Sequence, residues 1–253
     1  MERFKGKTVI VTGSASGIGK GVAQRFSQEG ANVVLCDIDE KKLAAVAAEL
    51  PGERTLAQRC DVTRFDEVEA LVKQAVSRFG ALDVMVNNAG IASEGTALEV
   101  PLQEWGKTID TDLSGVFHGC RAALPELLKT RGCIVNTASV SGLGADWAMC
   151  AYNAAKGGVV NLTRSLALDF GKQGVRANSV CPSLTHTGMT EDMVKDKALV
   201  GKFMERMPLG RVAEPADIAA VVAFLASDDA RFVNGANIPV DGGVMASNGQ
   251  PPQ

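Results

Sequence analysis

Residues 152–156 read "YNAAK". On a helix, Tyr152 and Lys156 lie one turn apart on the same face. Tyr152 is the only tyrosine among 253 residues. A phenol ionises at a pKa of about 10, too high for a base at neutral pH. Lowering that to about 7 takes roughly 4 kcal/mol of preferential phenolate stabilisation. A lysine cation one turn away supplies part of it. The pair is thus suited to taking a proton from a hydroxyl group, although an isolated Tyr-x-x-x-Lys is more often a solvated structural pair. Ser139 lies 13 residues upstream, at the end of the apolar run "CIVNTAS".

A second constellation lies near the N-terminus. "TGSASGIG" (12–19) follows the β-branched run "KTVIV" and opens a helical pattern. Gly13 permits a tight turn, while Gly17 and Gly19 let a pyrophosphate and the helix approach closely. A capping loop alone would also use glycines, but the next strand ends in an acid. That acid, Asp37, is 18 residues past Gly19. An acid there hydrogen-bonds a ribose 2′-hydroxyl and repels a 2′-phosphate. Ser14, Ala15, Ser16 and Ile38 are uncharged. The expected cofactor is therefore NAD rather than NADP. Asp37 could also cap the following helix, a role Asp39 fills equally well.

These residues need a scaffold that gathers them. Short β-branched runs alternate with longer helical patterns: "KTVIVTG", helix 17–30, "NVVLCD", a helix stopped by Pro51, "TLAQRCDV", helix 64–79 and "LDVMVNNAG". A long helix is predicted over 102–129, followed by "CIVNTAS", helix 150–170, "VRANSVCP", an irregular region 183–206, helix 215–227 and "ANIPVDGG". Strand–helix alternation with apolar strands implies a parallel sheet covered on both faces. Right-handed crossovers then give one doubly wound α/β Rossmann domain over 1–253, with a seven-stranded parallel sheet.

Composition excludes several classes. The net charge is −3, so no field draws the chain to nucleic acid or an anionic membrane. No apolar run approaches the length of a membrane span, and the N-terminus lacks a signal-peptide core. The six cysteines show no CxxC spacing and read as buried small hydrophobes of a cytoplasmic protein. His118 and His186 are the only histidines and lie far apart in sequence, so no metal site is expected.

The pattern TGxxxGxG, the "NNAG" at 87–90, the "CDV" at 60–62 and the YxxxK after a serine together resemble the short-chain dehydrogenase/reductase family. The resemblance runs from about Lys5 to Gly243. It implies that Ser139, Tyr152 and Lys156 converge beside a nicotinamide, with Tyr152 as base, Ser139 holding the substrate oxygen and Lys156 also bonding the nicotinamide ribose. It assigns cofactor contacts to Gly13, Ser16, Gly17, Ile18, Gly19 and Asp37, with Asp61 and Val62 at the adenine. Further contacts fall to Asn88, Ala89, Gly90, Pro182, Leu184 and Thr187, with Ser183 where a glycine is usual. It also implies a homotetramer using helices 102–129 and 150–170.

"TIDTDLSG" (108–115) aligns with the family's helix segment around a fourth catalytic residue, usually asparagine. This chain has Asp112 there. The resemblance implies that the residue-112 backbone carbonyl holds a water linking Lys156 to solvent. A carboxylate keeps that carbonyl but loses the amide donors. It also adds a negative charge near Lys156, unless it only bonds neighbouring backbone. Asp110 is read as solvated.

Segment 140–151 should wall the substrate pocket through Ser141, Leu143 and Trp147, with Gly142 and Gly144 letting substrate approach; Trp147 could equally pack in the core. Region 183–207, with Met189, Met193, Met204 and Met207, resembles the family's substrate lid; methionines suit an adaptable apolar surface, although they more often fill a core. With no basic side chain evident from 139–156 besides Lys156, a small neutral alcohol or ketone fits best. "GCIVNTASVSGLGADW" and the ending at 237–253 resemble the branch of the family acting on 2,3-butanediol and acetoin. In tetramers of this family, the tail (244–253) approaches a neighbour's pocket, so Gln250 is expected to shape substrate entry there. Two other readings stay open: a 3-oxoacyl thioester or hydroxysteroid reductase, and a non-catalytic NAD-binding sensor.

Overall fold

In the computed structural model, which describes residues 2–247, seven strands pair in the order β3-β2-β1-β4-β5-β6-β7, all parallel. They are β1 (Thr8–Thr12), β2 (Asn32–Asp37), β3 (Thr55–Arg59), β4 (Val84–Asn87), β5 (Cys133–Thr137), β6 (Arg176–Pro182) and β7 (Asn237–Val240). β1 and β5 are buried along their whole length, which is why their sequences do not alternate with polar residues.

Helices cover both faces. On one side α1 (Gly17–Gln28), α2 (Glu40–Ala48) and α10 (Pro215–Ala226) close over Val9, Val11, Phe26, Leu35 and Ile218. On the other, α3 (Phe65–Phe79), α5 (Gly115–Thr130) and α7 (Cys150–Phe170) close over Ile10, Leu71, Met85, Leu127 and Ile134. The remaining helices are α4 (Leu102–Ile109), α6 (Val140–Leu143), α8 (Glu191–Lys195) and α9 (Lys197–Arg206).

Chain order reverses between β1 and β4, so a crevice opens at the carboxyl ends of these strands. The glycine turn, the ends of β4 and β5 and the start of α7 all reach that crevice.

Two elements differ from expectation. The helix predicted over 102–129 is broken at Asp110–Ser114 by one turn of π-helix, in which the Gly115 N–H donates to the Asp110 carbonyl five residues back. Such turns carry one extra residue, which periodicity over a short window does not reveal. The region 183–206, read as irregular, contains α8 and α9. Asp196 starts α9 by accepting from the Ala198 and Leu199 N–H groups at 2.9 and 3.0 Å.

Candidate active site

The glycine turn connects β1 to α1 with left-handed backbone at Gly13 (φ +65°) and Gly17 (φ +52°). A Cβ on Gly19 would stand 2.1 Å from the Gly13 carbonyl oxygen, so the turn closes only with hydrogen there. The loop is braced from behind by β4. Thr12 Oγ1 accepts from the Asn88 and Ala89 N–H groups at 2.9 and 3.1 Å, and Asn88 Nδ2 donates to the Thr12 and Gly13 carbonyls. Asn88 thus spends its amide on the protein's own backbone while also facing the crevice.

Asp37, at the end of β2, accepts from the Ala15 N–H and the Asp39 N–H, each at 3.1 Å. Two backbone donors fix its carboxylate at the rim of the crevice. Helix α2 is capped instead by Asp39, which accepts from Lys42 N–H at 3.0 Å. Asp61 and Val62 line the same end. There Asp61 accepts from the Thr63 N–H and hydroxyl.

At the other end, α7 begins two residues before Tyr152. Its free N–H groups favour negative charge nearby. Lys156 is 3% exposed, and its Nζ lies 5.5 Å from the centre of the Tyr152 ring. Nζ donates to the Thr137 carbonyl at 3.1 Å and stands 3.2 Å from Asp112 Oδ2. That second contact is electrostatic, since Oδ2 has no aligned hydrogen bond. Asp112 itself is fully buried, and its Oδ1 accepts from the Ile91 N–H at 2.8 Å. The carboxylate therefore does both things the sequence left open: it bonds neighbouring backbone and faces the lysine. Burial pulls the Lys156 ammonium down, but the Asp112 carboxylate and then Tyr152 outweigh it and leave the pKa raised. The lysine is held as a cation beneath the phenol.

Gly90, the last residue of "NNAG", packs over this ion pair. A Cβ there would lie 2.9 Å from Asp112 Oδ2 and 3.3 Å from Lys156 Nζ.

Ser139 precedes α6, and its Oγ accepts from the Ser141 N–H at 3.1 Å. Ser139, Tyr152, Lys156 and Asp112 share one crevice of about 1810 Å³ with Ser16, Ile18, Ala89, Pro182, Leu184 and Thr187. Backbone donors at one end, a fixed acid at the rim and a cation under a phenol at the other end fit a dinucleotide laid along the crevice with its reactive ring near Tyr152.

Several substrate expectations need correction. Leu143 packs against the core and does not line the crevice, because α6 turns it toward the sheet. Gly142 serves packing as well: a Cβ on it would meet the Lys156 carbonyl at 2.5 Å, so it lets α6 lie against α7. Ser141 and Gly144 do face the crevice. Trp147 lines it too and is 98% exposed, so it is no core residue. Met189 and Met193 face it, whereas Met207 is buried under Gly242 and Met204 is only half-buried away from it. Asp110 is exposed as expected, at the rim. Gln250 lies outside the described residues. The sequence reading missed Lys107, Lys202 and Arg206 at the mouth and Asp146 beside Ser141. A basic i, i+4 pair in α9 was the available signal for the second and third.

A family model described as enoyl-(acyl carrier protein) reductase matches residues 13–245. The meso-2,3-butanediol dehydrogenase of Serratia marcescens is 53% identical over 249 residues, 98% of this chain and 98% of that protein. The 3-oxoacyl-[acyl-carrier-protein] reductase of Staphylococcus aureus (strain N315) is 39% identical over 94% of this chain and 98% of that protein. The crystal structure of levodione reductase superposes with a TM-score of 0.92 at 36% identity, covering 97% of this chain and 100% of that one. With its crevice, its ion-paired lysine under a lone tyrosine and these full-length relatives, the chain belongs to the short-chain dehydrogenase/reductase family.

Proposed function

We propose that the protein is an NAD-dependent dehydrogenase interconverting a small secondary alcohol or vicinal diol, of the 2,3-butanediol and acetoin kind, with its ketone. The observation that carries the reading is the buried Lys156–Asp112 pair under Tyr152, in a chain 53% identical to a butanediol dehydrogenase. Bound NAD supplies a hydride acceptor at one end of the crevice. Tyr152 takes the hydroxyl proton, and Ser139 holds the reacting oxygen beside it. Lys156 keeps its charge and stabilises the phenolate, and a water held by the residue-112 carbonyl would link it to solvent, so that any proton Lys156 gives up is replaced from there. Gly13, Ser16, Gly17, Ile18 and Gly19 hold the pyrophosphate, Asp37 the adenosine ribose, and Asp61 and Val62 the adenine. Asn88 through Gly90 support the central part, and Pro182, Leu184 and Thr187 the nicotinamide. Residues 183–207 act as a lid on this single catalytic domain, with Met189 and Met193 toward substrate.

A homotetramer is part of the same proposal. It is supported by exposed Trp105 and Phe117 on α4 and α5, the elements the family resemblance assigns to subunit contacts. None of the described cysteines forms a disulfide, which suits a cytoplasmic setting.

A second reading, reduction of a 3-oxoacyl thioester, is favoured by Lys202 and Arg206 at the crevice mouth. The fixed Asp37 carboxylate disfavours the NADPH such a reaction uses. NAD reduction measured across butanediols, cyclic alcohols, steroids and 3-hydroxyacyl thioesters separates the readings. Butanediol should be turned over best, and Tyr152→Phe should lose roughly 100- to 10,000-fold in kcat. NAD binding without turnover, unaffected by Tyr152→Phe, would show a sensor instead.

A further inference from the structure

Beside the reacting position lies a second polar group that this reaction scheme leaves unused. The Ser139 hydroxyl donates to Ser141 Oγ at 3.0 Å, and the Ser141 hydroxyl donates to Asp146 Oδ2. An ionised carboxylate only accepts, so the direction of the Ser141–Asp146 bond is fixed. Ser139 and Ser141 are buried, at 6% and 4% exposure, while Asp146 is exposed; all three line the crevice with Tyr152.

Asp146 is not a loose surface acid. Its backbone is clamped on both sides by Asn153, the residue after Tyr152: its N–H donates to Asn153 Oδ1 at 3.1 Å, and its carbonyl accepts from Asn153 Nδ2 at 2.8 Å. Two residues on, Ala148 adopts a left-handed backbone (φ +53°), an uncommon state for a residue with a Cβ. The Gly95 N–H donates to the Ala148 carbonyl at 2.6 Å and holds that turn in place. The loop is thereby bent so that a carboxylate stands one serine away from the serine that grips the reacting oxygen.

We propose that Asp146, together with Ser141, is the subsite for the second hydroxyl of a vicinal diol. The inference rests on the dehydrogenase reading and narrows its substrate class. With one diol oxygen between Ser139 and Tyr152, the oxygen on the adjacent carbon falls toward Ser141 and Asp146. A carboxylate accepts a hydroxyl hydrogen there and repels a carbonyl oxygen. In the reaction itself, the C–H hydride passes to NAD, the O–H proton passes to Tyr152, and C=O forms at the gripped carbon. The second C–O–H is unchanged throughout and stays on Asp146. A diol is thus preferred over the corresponding monoalcohol. In the reverse direction a hydroxyketone is preferred over a diketone.

The test compares butane-2,3-diol with butan-2-ol at saturating NAD, in wild type, Asp146→Leu and Asp146→Asn. Wild type should favour the diol in kcat/KM. Asp146→Leu should lower that ratio roughly ten- to a hundredfold, the range expected for a hydrogen bond to a charged group. Its kcat/KM for butan-2-ol should stay within about threefold of wild type, which also shows that the loop still folds. Asp146→Asn keeps an acceptor oxygen and should retain an intermediate ratio. Equal losses for both alcohols in Asp146→Leu would reduce Asp146 to a structural role and overturn the proposal, leaving the dehydrogenase reading intact. An unchanged ratio would do the same. If wild type oxidises neither alcohol, the dehydrogenase reading and the subsite fall together.

Discussion

Asp112 and Lys156 face each other at 3.2 Å with side-chain exposures of 0% and 4%. One charge of each sign is buried here, and the positive one lies 5.5 Å from the centre of the Tyr152 ring. The pair sets how much of the lysine's positive charge the phenol experiences.

The first prediction follows from removing the negative partner. In Asp112→Asn, burial acts on Lys156 unopposed by the carboxylate, so the lysine loses its proton at lower pH. The basic limb of the pH dependence of kcat/KM for alcohol oxidation, where the lysine charge is lost, should therefore move to lower pH. An amide oxygen can still accept from Ile91, so substantial activity should remain. A superimposable profile would remove Asp112 from the electrostatics of the site.

Gly90 gives a steric test of the same pair. Gly90→Ala places a Cβ 2.9 Å from Asp112 Oδ2, and neither partner has room to retreat. Overpacking of this kind costs about 1–3 kcal/mol. In a chain of this size that lowers Tm by about 2–4 °C per kcal/mol. Activity should fall more than Tm suggests, because the clash lies on the ion pair. Gly52→Ala is the control, since a Cβ there meets nothing within 4 Å and the residue lies away from the crevice. Equal behaviour of the two variants would refute the packing argument.

Cofactor choice is expected to rest on Asp37. Asp37→Ser removes a carboxylate that two backbone N–H groups hold in place. The kcat/KM for NAD should drop roughly ten- to a hundredfold, as for loss of a charged hydrogen bond, while that for NADP rises. The ratio is read from initial rates with each cofactor. No gain with NADP would move the discriminating group elsewhere.

Acid stability should report Asp217 in the first turn of α10. Arg211 bonds its carboxylate at 2.8 Å, and the Glu214 N–H adds a second donor. Together they lower the Asp217 pKa from 3.8 to about 2. Because the folded value lies below the unfolded one, the stabilisation is present above about pH 4 and fades as the pH falls toward 2. Asp217→Asn should lower Tm at neutral pH and flatten its dependence between those limits. Parallel Tm curves for the two proteins would contradict this.

The strands were legible because parallel strands buried on both faces read as short β-branched runs. "CIVNT" and "TVIVT" could be little else. The glycine turn, Asp37, Tyr152 and Lys156 were legible because spacing carries their chemistry. The subsite formed by Asp146 was not: Ser141 and Asp146 are five apart across a loop, and only the left-handed Ala148 and the clamp by Asn153 bring them together. Leu143 was misassigned, and Met207 was left open between lid and core, because hydrophobicity alone does not say which way a side chain turns. Asp112 could be matched to its position, but its contact with Lys156 depends on a backbone turn that no hydrophobic pattern announces.

That turn, at Asp110–Ser114, has a consequence for how the chain can vary. An α-helix advances about 100° per residue. Deleting one residue from this turn would restore ordinary helical hydrogen bonding and would look harmless, even stabilising, by local propensity. It would also rotate all of α4, Trp105 included, by about that angle relative to α5. Gains and losses of single residues should therefore be barred here while substitutions on the exposed face are tolerated. The length of this segment, more than its composition, is what selection has to preserve.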